Sequence, residues 1–163
     1  MYVWADAELL AAKIDQLNTR GCEYTAQQMY YEALVYLAEA ERVLEYAASC
    51  GRTIDRALIV TTLHNQAAVY QRIWELVRSA DYIEAIIYNV SALVEGETVL
   101  PLSADAGEEG SPGYLRLSSY LSSKLNLVVY HLQYCAVSSQ IKNHSNALGS
   151  ACQALTLLKT YCE

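Results

Sequence analysis

Small residues recur in this chain at fixed distances, and that spacing limits the folds open to it. Gly21, Ala33 and Ala40 stand twelve and seven residues apart, and Cys135, Ala147 and Ala154 repeat both intervals. Ala33 and Ala40 belong to a longer run, Ala33, Leu37, Ala40, Leu44 and Ala47, set three or four residues apart. That is the period of one face of an α-helix, not of a strand. Two helices approach to about 8–10 Å only where small side chains occupy the contact. Small residues held at constant intervals across two helical segments therefore predict closely packed antiparallel pairs. Turn material points the same way, since 2 Pro and 7 Gly in 163 residues leave little for a many-stranded β fold.

The periodicity divides the chain into six predicted helices, at about residues 4–27, 30–49, 53–78, 81–95, 114–140 and 144–162. Cys50-Gly51 reads as a helix stop and Thr53 as the next N-cap. Asp81 and Glu84 have the spacing of a capping box. Leu117, Leu121, Leu125, Val128, Leu132 and Cys135 form one stripe, and Asn143 or Ser145 opens a last helix with Ala147, Ala151, Ala154 and Leu158. Residues 96–113 hold both prolines and four of the seven glycines. They predict a solvated, mobile loop. The expected fold is all-α, one domain over residues 1–163, with units at about 10–50, 53–95 and 114–162. Spacing alone leaves open whether the pairs stack as a right-handed solenoid or close into a bundle.

Composition removes several function classes. The formal net charge is −7, and seven acids with no Lys or Arg lie between residues 80 and 115; elsewhere 11 acids balance 11 bases. No basic stripe is available for phosphates, so nucleic acid is not an expected partner. No apolar run reaches the roughly 18 residues of a membrane span. The start, MYVWADAELL, lacks a basic leader and carries Asp6 and Glu8, so a signal peptide is not expected and the predicted location is cytoplasmic. The five cysteines lack zinc-type pairing, which predicts reduced thiols packed as small apolar groups. Sequons at Asn89 and Asn143 fall in or near predicted helices. The 14 Tyr against 0 Phe suit half-buried, contact-rich positions, where the ring packs and the hydroxyl finds a partner.

Internal repetition brings a family into view. Gly21, Tyr24, Tyr30, Ala33 and Ala40 place a small residue in a first helix, an aromatic one turn on, an aromatic opening the second helix, then two alanines. This resembles the tetratricopeptide repeat (TPR), whose intervals it keeps. The third unit, around Cys135, Ala147 and Ala154, resembles degenerate repeats of eukaryotic scaffold proteins, with Ser138 replacing an aromatic and Lys142 where a helix-ending Gly is common. In the second unit, Ala67 and Ala85 are eighteen residues apart, six too many. Those six, within 73–79, predict a first helix longer by about 9 Å.

The resemblance implies a groove lined by first helices that holds a partner helix or extended segment. Carried across, it assigns Asp15, Asn18, Thr19, Cys22 and Thr25 in unit one. Unit two adds Thr61, His64, Asn65, Ala68, Gln71 and Arg72, and unit three Val129, Leu132, Gln133, Ala136, Ser139 and Gln140. The chosen site residues are Asn18, Cys22, His64, Asn65, Gln71, Arg72, Gln133 and Gln140. Glu41 and Arg42 are placed on the outer side of the second helix. Only Asn65 matches the clamp by which chaperone-binding repeats hold a terminal carboxylate, so chaperone tails are not the expected ligand. No nucleophile, phosphate-loop or metalloprotease motif occurs, and no cofactor or metal is expected. His131 and Cys135 share a helix face but have no further spaced ligands, so a packed pair is the expectation. The resemblance implies a non-catalytic scaffold or adaptor, held in a hetero-complex such as a cytoskeletal or ciliary assembly. Its alternative is a free peptide-binding cofactor of a chaperone or trafficking pathway.

Overall fold

A computed structural model describes residues 6–96 and 112–162, and the fold is all-α. The helices are α1 (Ala7–Ala26), α2 (Tyr30–Ser49), α3 (Arg56–Arg72), α4 (Leu76–Gly96), α5 (Pro112–Gln140) and α6 (His144–Cys162). They pack in consecutive pairs, α1 on α2 and α5 on α6, and α3 lies against both α1 and α2. The chain divides into two compact units, Met1–Ile86 and Ile87–Glu163.

Each pair is closed by one recurring turn. After α1, the Gln28 N–H donates to the Thr25 carbonyl and the Met29 N–H to Tyr24, both at 3.0 Å. Trp74 and Glu75 repeat the pattern toward Gln71 and Tyr70, and Lys142 and Asn143 toward Ser139 and Ser138. This closure satisfies the last helical carbonyls and requires a left-handed residue in the turn. Gln28, Trp74 and Lys142 supply it, with φ of 62°, 64° and 63°. Gly51, at φ 65°, closes α2 in the same way. A residue with a Cβ in that conformation costs about 1–2 kcal/mol. Packing on both sides of each turn offsets it.

The turns correct the predicted register of the second unit. Trp74 lies 46 residues after Gln28, which places Ala67, Ser79 and Ile86 at the positions of Gly21, Ala33 and Ala40. Ala67 to Ser79 is again twelve residues, so there is no six-residue insertion and α3 is not lengthened; it ends at Arg72. Ser79 is fully buried, and its hydroxyl donates to the Ala67 carbonyl at 3.0 Å. A hydroxymethyl is small enough for the close contact once its proton is satisfied, so serine stands where alanine was sought. Ala85, the expected contact residue, is only half-buried. Asp81 and Glu84 are exposed inside α4 and form no capping box.

Other boundaries move less. Asp55, not Thr53, caps α3, its carboxylate accepting from the Ala57 N–H at 2.9 Å. The Asn143 side chain accepts from the Asn146 N–H at the start of α6. Pro112 and Gly113, assigned to the loop, form the first turn of α5, where a proline loses no helical hydrogen bond. The rest of the expected loop, 97–111, lies outside the described residues.

Unit one has two apolar clusters. Leu10, Ile14 and Leu17 of α1 pack with Ala40, Val43 and Ala47 of α2, flanked by Leu58 of α3. Ala33 and Leu37 pack with Val69, flanked by Tyr24, Tyr30 and Leu34. In the α5–α6 pair, Leu127, Val128, Val137, Ala147 and Ala154 are buried, but Leu125 and Leu132 of the predicted stripe are exposed. All five cysteines are free thiols as expected, yet Cys22, Cys50, Cys152 and Cys162 are exposed and only Cys135 is half-buried, so packing is not their common role.

Two expectations follow. Gln28→Gly and Lys142→Gly should each stabilise the protein by about 1 kcal/mol, and Gly51→Ala should weaken it by a similar amount. The readout is the urea midpoint, and three unchanged midpoints would refute the left-handed turns. At the helix contact, a Cβ on Gly21 would lie 2.5 Å from Leu37 Cδ2 and 2.7 Å from Cγ, and Leu37 is fully buried. Gly21→Ala should therefore cost about 1–3 kcal/mol by overpacking. Adding Leu37→Val should restore part of that loss; strictly additive destabilisation would break the proposed contact.

Candidate protein-binding face

The sequence-assigned groove residues separate into two groups when placed on the helices. Asn18 is 4% exposed at the α1–α3 contact. Its amide nitrogen donates to Thr62 Oγ1 at 2.8 Å and to the Ile14 carbonyl at 3.1 Å, and its oxygen accepts from Asn65 Nδ2 at 3.0 Å. The Thr62 hydroxyl donates in turn to the Leu58 carbonyl at 2.9 Å. Asn65, Asn18 and Thr62 thus form a satisfied polar bridge from α3 to α1 and back. Burying such groups is tolerable because each is paired. Asn18 holds helices together and does not face solvent.

The second group lies nearer the surface. Cys22, His64 and Arg72 are exposed, and Gln71 is half-buried. Along α3, His64, Ala68, Gln71 and Arg72 follow the 3–4 spacing of one face. On α5, Gln140 is exposed and Gln133 half-buried. Partial burial pushes the Cys22 thiol up from its ordinary value. Burial pushes the His131 imidazole down, and its Nδ1 lies 3.4 Å from Ser150 Oγ. Among the described residues, no group of three or more His, Cys, Asp or Glu could hold a metal ion.

Two features escaped the sequence reading. Glu41, assigned to the outer side of α2, is half-buried and turns inward, where its Oε2 accepts from Gln66 Nε2 of α3 and Tyr82 OH of α4, both at 3.0 Å. Arg42 does face outward, pairing with Glu39 at 2.8 Å. The second is a repeated aromatic pair. Tyr24 and Tyr36 stack with centroids 5.2 Å apart, and Tyr70 and Tyr82, at the same positions one unit later, stack at 5.5 Å. The corresponding third-unit residues are Ser138 and Ser150, both buried. Half the pattern was visible as Tyr24 and the Ser138 replacement; the partner rings only emerge from the corrected register.

Comparison with known proteins adds no relative: no family model, no curated protein and no solved structure matches the chain. No helix among the described residues is long and apolar enough to cross a membrane. What the geometry establishes is a set of helix pairs with repeat-like packing, locked together in unit one by two polar nodes.

The Glu41 node has a pH signature. Burial first, then the Glu41 charge and hydrogen bond, push the Tyr82 hydroxyl well above its ordinary value of 10.0, against the pull of Arg78. A phenol whose pKa is higher folded than unfolded binds its proton more tightly in the native state. Its contribution is therefore whole below pH 10.0 and is lost as pH rises beyond that value. Chemical-denaturation stability should fall across that alkaline range in the parent and fall less steeply in Tyr82→Phe. Identical alkaline slopes would show that Tyr82 is not held by Glu41.

Proposed function

We propose that this protein is a non-catalytic interaction scaffold of tetratricopeptide-repeat type, acting as a structural subunit of a larger protein assembly. The observation that carries this reading is the register shared by three helix–turn–helix units. Each has the twelve-residue interval, the left-handed turn and the two following buried small or aliphatic residues. Units of this kind bury one face against their neighbours and leave another open, which suits them to holding a partner along an extended surface. The large exposed apolar side chains, among them Tyr31, Trp74, Val77 and Leu148, favour an assembly over a freely diffusing monomer.

In this reading the partner contacts exposed side chains of the first helices, with Arg72 and His64 on α3 as the principal contacts. Arg72 offers a planar, permanently charged donor set for a partner carboxylate. Asn65 is excluded from this role by its bond to Asn18. The test is affinity capture from the native cells with quantitative mass spectrometry, using the parent, His64→Ala with Arg72→Ala, and the outward control Arg42→Ala. The paired variant should lose the partner set while melting like the parent, and the control should keep it. Loss with the control and retention with the pair would move the partner to the other face and overturn the assignment.

A further inference from the structure

The α5–α6 pair repeats the α1–α2 pair at an offset of 114 residues, set by the equivalent turn residues Gln28 and Lys142. In unit one, α3 rests on the α1–α2 pair, bonded to Asn18 of α1 and Glu41 of α2. The residues at those two positions in the later pair are Leu132 and Leu155. They are not covered: Leu132 is 50% and Leu155 54% exposed. Leu125, Val129, Leu148 and Leu158 are exposed as well. Relative to the contact between α5 and α6, marked by His131–Ser150 and Asn146–Tyr134, Leu125, Leu132, Leu155 and Leu158 turn toward the same side of the pair. Rotation at 100° per residue, reversed in sense by the antiparallel pairing, carries Val129 and Leu148 further round, away from that contact.

Charge identifies what covers the Leu132–Leu155 side. Residues 112–162 include Arg116, Lys124, Lys142 and Lys159 and no Asp or Glu. Lys142 and Lys159 are exposed, at the turn and near the end of α6. Two copies meeting through this face would bring like charges together, so self-pairing is disfavoured. We propose that the Leu132–Leu155 face seats an acidic amphipathic helix of a partner protein, placed on α5–α6 as α3 is placed on α1–α2. Resting on the scaffold reading above, this names the surface and the chemistry of its occupant. α3 meets its pair through Leu58, Thr62, Asn65, Gln66 and Val69. The partner presents the same i, i+4, i+7, i+11 stripe with apolar residues, because leucines replace the polar anchors, and carries carboxylates on its flanks.

The test uses the full chain and a synthetic peptide of about four helical turns, with leucine on that stripe and glutamate elsewhere. A second peptide replaces every glutamate by lysine. Fluorescence anisotropy should show saturable binding of the acidic peptide, at least about tenfold tighter than the basic one and weakened by added salt. Leu132→Gln with Leu155→Gln should lower that affinity by about tenfold or more without changing the melting temperature, both positions being exposed. Equal binding of the two peptides, no binding, or indifference to the double variant would overturn the proposal. So would a dimer in light scattering that the double variant dissolves, since the occupant would then be a second copy. The scaffold reading is judged apart from this: native-partner capture that depends on His64 and Arg72 would survive failure of the peptide arm.

Discussion

The left-handed turn between paired helices is the constraint on which the described structure rests. It fixes how many residues separate the last close contact on one helix from the first on the next. Gly21 and Ala33, Ala67 and Ser79, and Cys135 and Ala147 are all twelve apart because the same hydrogen bonds close the chain between them. Among the described residues, only one of the four in this conformation is glycine. Gln28, Trp74 and Lys142 each carry a backbone cost of about 1–2 kcal/mol. Burial of a single Leu10 or Leu37, worth about 1.5–3 kcal/mol, is enough to offset one such residue. The turn is imposed by the packing of the two helices it joins.

Between pairs the chain uses a different device. Asn18 and Glu41 are polar anchors that receive α3, and Glu41 also reaches Tyr82 on α4. Such groups fix register, since a helix that slid along its neighbour would leave a buried amide or carboxylate unpaired. The corresponding residues of the later pair are leucines, which impose no directional demand. One pair holds a particular helix of its own chain through polar anchors, and the other carries exposed leucines at the same positions.

The tyrosine excess also has a structural reading. Tyr24–Tyr36 and Tyr70–Tyr82 are stacked pairs in which the rings fill space beside the small-residue contacts. In Tyr82 the hydroxyl is used as well, donating to Glu41. Phenylalanine could supply the ring but not that bond. Tyr31 and Tyr88 are exposed and take no part in these pairs.

Helix content, the pairing of neighbouring helices and the first and third repeats were legible in the sequence, because the contacts responsible are local and periodic. Ala33, Leu37, Ala40 and Ala47 announce their face by spacing alone, and all four are buried. The second repeat was misread because Ser79 is polar by residue type, and only its bond to the Ala67 carbonyl makes it acceptable in the core. Trp74 gave no sign of a helix-ending residue, since its left-handed backbone is enforced by packing and not by preference. Of the residues assigned to a partner face, Cys22, His64 and Arg72 are exposed, whereas Asn18 is buried and Asn65 is bonded to it. Their bond spans 47 residues, as the Gln66–Glu41 bond spans 25. Sequence by itself determined that the chain forms paired helices and which stripe α2 buries, through interactions a few residues apart. Tertiary structure alone decided which polar side chains lock helices together and which remain available, because a hydrogen-bond partner distant in the chain leaves no local periodic signal.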